Sequence, residues 1–189
     1  NRNSRAECGT PRLRNEPPMT HPSFEFSHAI TRRPSASIID GLRAEDIGVP
    51  DLDQMLADHA HYVATLKRTG AKVIELPPLD AFPDAVFVED TALCLPQGAI
   101  LMRPGAPSRR GEVAEMEPAL RAVYQDVRQI TGPGHIEGGD ILVTGREVLV
   151  GRSDRTDAAG VAELAEIVAE WGHVLREVFT PPGVLHFKT

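Results

Sequence analysis

Two stretches of this chain repeat one another, and the duplication restricts its fold more than any other feature. Val88-Glu89-Asp90-Thr91-Ala92-Leu93-Cys94 is followed by a Pro-Gln-Gly turn, the run Ala99 to Arg103, Gly105 and a helical pattern. Ile136-Glu137-Gly138-Gly139-Asp140-Ile141-Leu142-Val143 is followed by a Gly-Arg turn, the run Val148 to Gly151 and another helical pattern. Both copies read acidic cluster, strand, tight turn, strand, arginine-bearing loop, helix. Glu89 and Glu137 lie 48 residues apart, and Arg109 and Arg155 lie 46 apart. A repeat of that period implies a unit that buries its apolar face against copies of itself. Ala29 to Gly41 and Leu185 to Thr189 resemble parts of further units, so the chain is expected to be a fragment of a longer protein.

Hydrophobic periodicity fills in the elements. Leu52, Met55, Leu56, His59, Ala60, Val63 and Leu66 recur at helical spacing, with Gly70 as the stop. A second helix is expected from about Arg110 to Tyr124, started or kinked by Pro118, and a third from about Thr156 to Trp171 with Gly172 behind it. Strands are expected at Ser27 to Thr31, Lys72 to Leu76, Ala85 to Val88, Ala92 to Leu95, Ala99 to Arg103, Asp140 to Val143, Glu147 to Gly151, Val174 to Val178 and Val184 to Phe187. The class is mixed α/β.

Composition excludes several functions. With 189 residues and 41% hydrophobic content the chain can build a core, while 20 Lys and Arg against 27 Asp and Glu give a net charge of -7. That balance disfavours nucleic acid and anionic membrane as partners, since both require a basic face. No apolar run approaches the roughly 20 residues of a membrane-spanning helix. Residues 1–18 carry four Arg and two Glu with no apolar stretch, so they read as a disordered leader with Met19 as the natural start, and 19–189 as the folded domain. Two cysteines, Cys8 and Cys94, support no disulfide framework, and a cytoplasmic location follows as the default.

Opposed acids and arginines suit a zwitterionic ligand that carries its own cation. Carboxylates hold a planar guanidinium through paired N–H donors, and arginine forks hold an α-carboxylate. Asp84, Glu89, Asp90 and Glu137 are candidates for the first task, and Arg109 and Arg155 for the second. The same charges could equally be rim ion pairs and turn formers. His186, within the expected strand Val184 to Phe187, could face a site as general acid or base, or be structural. His59 and His61 are two apart on a helix and point to different faces, so they make a poor metal pair. Gly132-Pro133-Gly134-His135 and Gly138-Gly139 lack the residues a phosphate loop requires. Cys94, among Ala92, Leu93 and Leu95, reads as an inert core thiol.

Five ordered segments carry a family resemblance: Phe82-Pro83-Asp84-Ala85-Val86-Phe87-Val88-Glu89-Asp90, Arg103-Pro104-Gly105-Ala106-Pro107-Ser108-Arg109-Arg110-Gly111-Glu112, Glu137-Gly138-Gly139-Asp140, Gly151-Arg152-Ser153-Asp154-Arg155-Thr156 and Val184-Leu185-His186-Phe187-Lys188-Thr189. They resemble dimethylarginine dimethylaminohydrolase, a guanidine-modifying enzyme, from about Ser27 onward. The resemblance implies a fivefold pseudosymmetric α/β propeller of ββαβ units, about three of them present here. It implies cofactor-free hydrolysis of N-methylated arginines to citrulline and a methylamine. Leu42 and Asp84 then contact the amino-acid end of the substrate, Glu89, Asp90 and Glu137 surround its guanidinium, Arg109 and Arg155 hold its carboxylate, and His186 is the general acid. The family's nucleophilic cysteine follows that histidine, and neither Cys8 nor Cys94 matches it, so this chain alone is expected to be inactive. Asp157 stands where the family pattern leads one to expect asparagine. Lys188 stands where deiminases of arginine tend to carry a guanidinium-binding aspartate, which favours methylated substrates. Arginine or agmatine deiminase, a non-catalytic guanidine-binding fragment, and a homodimer of the complete protein stay open as alternatives.

Overall fold

The structure is a computed structural model that describes residues 25–188 apart from 44, 47 and 146; the expected leader, Met19 and Cys8 lie outside the described residues. The duplication read from the sequence appears as two units with the same wiring. In one, β3 (Ala92–Leu95) pairs antiparallel with β4 (Gly98–Leu101), which pairs parallel with β5 (Val127–Gln129) after a crossover through α2 (Glu117–Arg121). In the other, β6 (Ile141–Val143), β7 (Glu147–Arg152) and β8 (Val174–Phe179) repeat that order, with α3 (Ala158–Glu170) as the crossover. A third βαβ element precedes them: β1 (His28–Arg32), α1 (Leu52–Arg68) and β2 (Lys72–Leu76), the two strands parallel. The chain is α/β throughout.

Local chemistry explains the element ends. Asp51 caps α1 by accepting from the Gln54 amide at 3.0 Å, and Lys67 and Arg68 occupy its last turn, where cations oppose the helix dipole. Asp157 caps α3 through the Gly160 amide at 2.8 Å. Gly70 and Gly172 then leave both helices at positive φ.

Four expectations fail, each for a visible reason. Ala85 to Val88 forms no strand: Ala85 and Phe87 donate to the carbonyls of Phe82 and Asp84, so the backbone spends its donors on turns after Pro83. The helix expected from Arg110 to Tyr124 is split into a 3-10 segment, Pro107–Val113, and the five residues of α2, because Pro118 has no amide to continue the earlier turns. Val184 to Phe187 is irregular; its amides reach Pro181 O and the Asp140 carboxylate instead of a neighbouring strand. Cys94 is exposed on β3 rather than packed in the core, although its apolar surroundings do push the thiol up, against a hydrogen bond from Tyr124. The three residues of β5, with Arg128 in the middle, carried no strand pattern.

The main core joins both units: Leu93, Leu95, Ile100 and Met102 from one meet Ile141, Val148, Val150, Val161, Leu164 and Val168 from the other. A smaller cluster under α2 gathers Ala99, Leu101, Val113, Met116 and Leu120. The 3-10 turns that precede β3 and β6, Val88–Thr91 and Gly138–Asp140, pack against each other, which brings both acidic clusters to one place. Leu164 is fully buried in the shared core, so Leu164→Ala is expected to lower unfolding free energy by about 2–5 kcal/mol, measured by urea denaturation.

Candidate active site

The paired turns open onto a cleft of about 910 Å³. Every site residue expected from the sequence lines it: Leu42, Asp84, Glu89, Asp90, Arg109, Glu137, Arg155 and His186. Asp51, which caps α1, Asp58 from α1, and Lys188 complete its charges, so six carboxylates share the cleft with Arg109, Arg155, Lys188 and the titratable His186.

Glu137 lies at its floor, fully buried. Its Oε2 accepts from His186 Nε2 at 2.9 Å, its Oε1 accepts from the Gly105 amide at 3.0 Å, and Arg155 Nη1 stands 3.8 Å from Oε1. Burial alone would raise its pKa, but the His186 bond, the charges of Arg109 and Arg155 and the Gly105 amide together hold it below the usual carboxylate range. The same Glu137 bond, helped by Asp90 and Asp140, raises His186 above its ordinary value against partial desolvation. His186 is therefore more readily protonated than a free imidazole.

The two repeats are not in register at their acids. Counted back from the first residue of each strand, Glu137 corresponds to Val88 and Glu89 to Gly138. Glu89 accordingly sits at the mouth, its side chain 70% exposed and joined to Lys188 Nζ at 2.5 Å. Gly138 and Gly139 leave room where the other copy carries side chains. A methyl on Gly138 would meet the Glu89 carbonyl at 2.0 Å, and one on Gly139 would meet the His186 ring at 2.7 Å and Asp90 Oδ1 at 2.8 Å. Those glycines serve close packing, not phosphate.

Arg109 occupies a different place from the one expected of a carboxylate clamp. It is buried, with Nη1 on Asp90 Oδ2 at 2.7 Å, Nη2 on Glu112 Oε2 at 2.9 Å, and further bonds to the carbonyls of Asp84 and Phe87. Its donors are largely consumed by the protein, and it fixes Asp90. Glu112, which the sequence reading passed over, is raised above the usual carboxylate range by burial, with Asp84 and Asp90 adding to the rise and Arg109 opposing it. Arg155 is a quarter exposed over Glu137 and keeps donors for a ligand. Asp84 accepts the Leu42 amide at 3.1 Å and so pins the loop that carries Leu42, whose side chain is exposed.

Asp140 and Thr31 were also missed as site residues. Asp140 is fully buried: Oδ2 accepts from the hydroxyls of Ser153 and Thr156, both at 2.6 Å, and Oδ1 accepts the Phe187 amide at 2.8 Å. The Gly-Gly-Asp motif signalled it, but nothing local says which distant segments it would tie. Thr31 lines the cleft with a buried hydroxyl that has no hydrogen-bond partner among the described residues. Among the described residues Asp90, Glu137 and His186 could hold a metal ion, their ligand atoms lying within 4.8 Å of one another. The carboxylates of Asp90 and Glu137 also suit the paired donors of a planar organic cation. Cys94 does not line the cleft.

Arg109→Met leaves Asp90 and Glu112 as buried carboxylates without their cation, and is expected to cost about 3–5 kcal/mol of stability by urea denaturation. The His186–Glu137 pair makes a pH-dependent contribution. His186, raised above 6.5, stabilises fully below that value and loses its effect as pH rises through its folded pKa. Glu137, lowered below 4.5, stabilises above that value and loses its effect as pH falls through its folded pKa. The stability difference between the wild type and His186→Asn should therefore be greatest between about pH 4.5 and 6.5 and shrink on either side. A flat difference across urea titrations would show that the ion pair does not form.

The family model described as arginine deiminase matches residues 77–180. Over 165 residues the chain is 39% identical to the N(G),N(G)-dimethylarginine dimethylaminohydrolase of Pseudomonas aeruginosa, covering 87% of this chain and 65% of that protein. It is 37% identical to the enzyme of that name from Streptomyces coelicolor, covering 85% of this chain and 62% of the relative. It superposes with a TM-score of 0.85, at 40% identity and over 88% of this chain and 65% of the other, on the solved structure of Pseudomonas aeruginosa DDAH as a cysteine-to-serine variant complexed with citrulline. The chain thus spans less than two thirds of the length of the curated relatives it matches. It belongs to the arginine deiminase family, and over most of its own length it is similar to dimethylarginine dimethylaminohydrolases.

Proposed function

We propose that this chain supplies the guanidinium pocket of a hydrolase that converts N-methylated arginines to citrulline and methylamines, within a fivefold α/β propeller of which it forms about three units. The observation that carries this reading is a buried carboxylate floor, Glu137, flanked by Asp90, with a protonatable His186 on one side and a partly free Arg155 on the other. A ligand guanidinium would lie over Asp90 and Glu137 with Glu89 at its edge. Its α-carboxylate would reach Arg155, and Leu42 and Asp84 would bound its amino-acid end.

The nucleophile is a cysteine that follows His186 in the longer protein. Its thiolate attacks the guanidinium carbon and forms a C–S bond, while the buried carboxylates stabilise the cation as it becomes tetrahedral. His186, kept protonated by Glu137, gives its proton to the methylated nitrogen as the C–N bond breaks and the amine leaves. The neutral imidazole then takes a proton from water, hydroxide adds to the same carbon, and the C–S bond breaks to release citrulline and the thiolate. No cofactor takes part in this scheme. The family's arginine deiminase description supports a second reading, hydrolysis of unmethylated arginine. Lys188 counts against it, because its charge already sits on Glu89.

Calorimetry of the 189-residue chain with asymmetric dimethylarginine is expected to show binding that Glu137→Gln weakens at least about tenfold, as loss of a buried charged partner would. The chain extended through its downstream reading frame is expected to make citrulline, faster from dimethylarginine than from arginine, while the short chain makes none. Absence of binding at millimolar ligand sinks the pocket assignment. Faster turnover of arginine or agmatine would favour the deiminase.

A further inference from the structure

His135 stands directly behind the loop that presents Arg155. Its Nδ1 contacts the Arg155 carbonyl oxygen at 3.0 Å, and its Nε2 lies 3.2 Å from Asp157 Oδ2. Both of those atoms are oxygens, so the ring bridges the loop carbonyl and the Asp157 carboxylate. Asp157 is itself anchored: its amide donates to the His135 carbonyl at 2.9 Å, and its other oxygen caps α3 through Gly160. An asparagine at 157 could turn its amide either way, whereas the carboxylate only accepts.

The space around this contact is tight. A methyl on Gly105 would meet the Arg155 Cα and carbonyl oxygen at 3.2 Å and His135 Nδ1 at 3.3 Å. The same Gly105 donates its amide to Glu137. Arg103 holds the backbone on the other side by donating to the Gly134 carbonyl at 2.8 Å. The Arg155 amide is fixed by Ser153 Oγ at 3.0 Å, and its carbonyl by His135. The backbone of Arg155 is thereby clamped at both ends while its guanidinium stays partly free above Glu137.

We propose that His135 is a positioning residue for Arg155: it locks the loop so that the guanidinium meets a ligand carboxylate without first having to be ordered. The inference rests on the reading that Arg155 binds that carboxylate. A side chain held in place before binding loses less freedom on binding, so the effect falls on ligands that carry the carboxylate and spares those that lack it.

Two measurements on the 189-residue chain test this. In calorimetry, His135→Leu is expected to weaken dimethylarginine about five- to tenfold, the loss of one positioning hydrogen bond, and to leave the decarboxylated form of the same ligand within about twofold. His135→Asn, whose amide nitrogen can replace Nδ1, is expected to restore the affinity. Equal weakening of both ligands, or no weakening of either, overturns the proposal. If Arg155→Ala leaves the preference for the carboxylate unchanged, the carboxylate-binding assignment fails instead. Independently of any ligand, amide hydrogen exchange at Arg155 and Thr156 is expected to quicken in His135→Leu and not in His135→Asn; unchanged exchange in the leucine variant overturns the clamp.

Discussion

The carboxylate of Asp140 is the joint on which the site hangs. It is fully buried, and its oxygens are shared between the hydroxyls of Ser153 and Thr156 and the amide of Phe187. Those three residues belong to the arginine loop and to the segment that carries His186. Without a common acceptor between them, neither segment has a sheet ladder to fix it, because both are irregular. Thr156 extends the connection by receiving the Glu137 amide at 3.2 Å. One acid outside the lining of the cleft thus ties together the segments that carry Glu137, Arg155 and His186. Buried polar networks of this kind specify a single arrangement when every member is satisfied.

The fold needed the repeat, because neither unit can bury its core alone. Leu95, Ile100 and Met102 from one copy interlock with Val148, Leu164 and Val168 from the other. That packing forces the two 3-10 turns together and gathers carboxylates that would otherwise repel. Arg109 answers the repulsion by sitting between Asp90 and Glu112 in the protein's interior. In the second copy His186 and Arg155 perform the corresponding neutralisation from the cleft side, where a ligand can take part.

Much of this was legible in the sequence. The period-3.6 stripe from Leu52 to Leu66 and the short apolar runs at Ala92 and Ile141 placed elements, and the acidic and Gly-Gly-Asp motifs pointed to residues that line or support the cleft. What was not legible depends on partners distant in the chain. Val184 to Phe187 has a strand's composition, yet its amides are claimed by Asp140 and Pro181. Arg109 and Arg155 lie in the same loop of the repeat, yet Glu112 holds one in the interior while the other stands at the surface of the cleft. Cys94 has core neighbours in sequence but lies on the open face of β3, a distinction that alternation along four residues could not assign.

The lysine at the mouth gives the unliganded cleft a property of its own. Lys188 rests on Glu89 as His186 rests on Glu137, so each of these acids already has a basic partner from the protein itself. On the proposed reading, a ligand cation that reaches Glu89 would exchange with Lys188, while His186 keeps its place on Glu137. A rounded, singly charged ammonium would gain little from that exchange, since it only replaces one point charge by another. A flat cation that offers paired donors to neighbouring oxygens gains where the lysine cannot follow. If the proposed function holds, selection for shape among equally charged ligands follows from the Lys188–Glu89 pair.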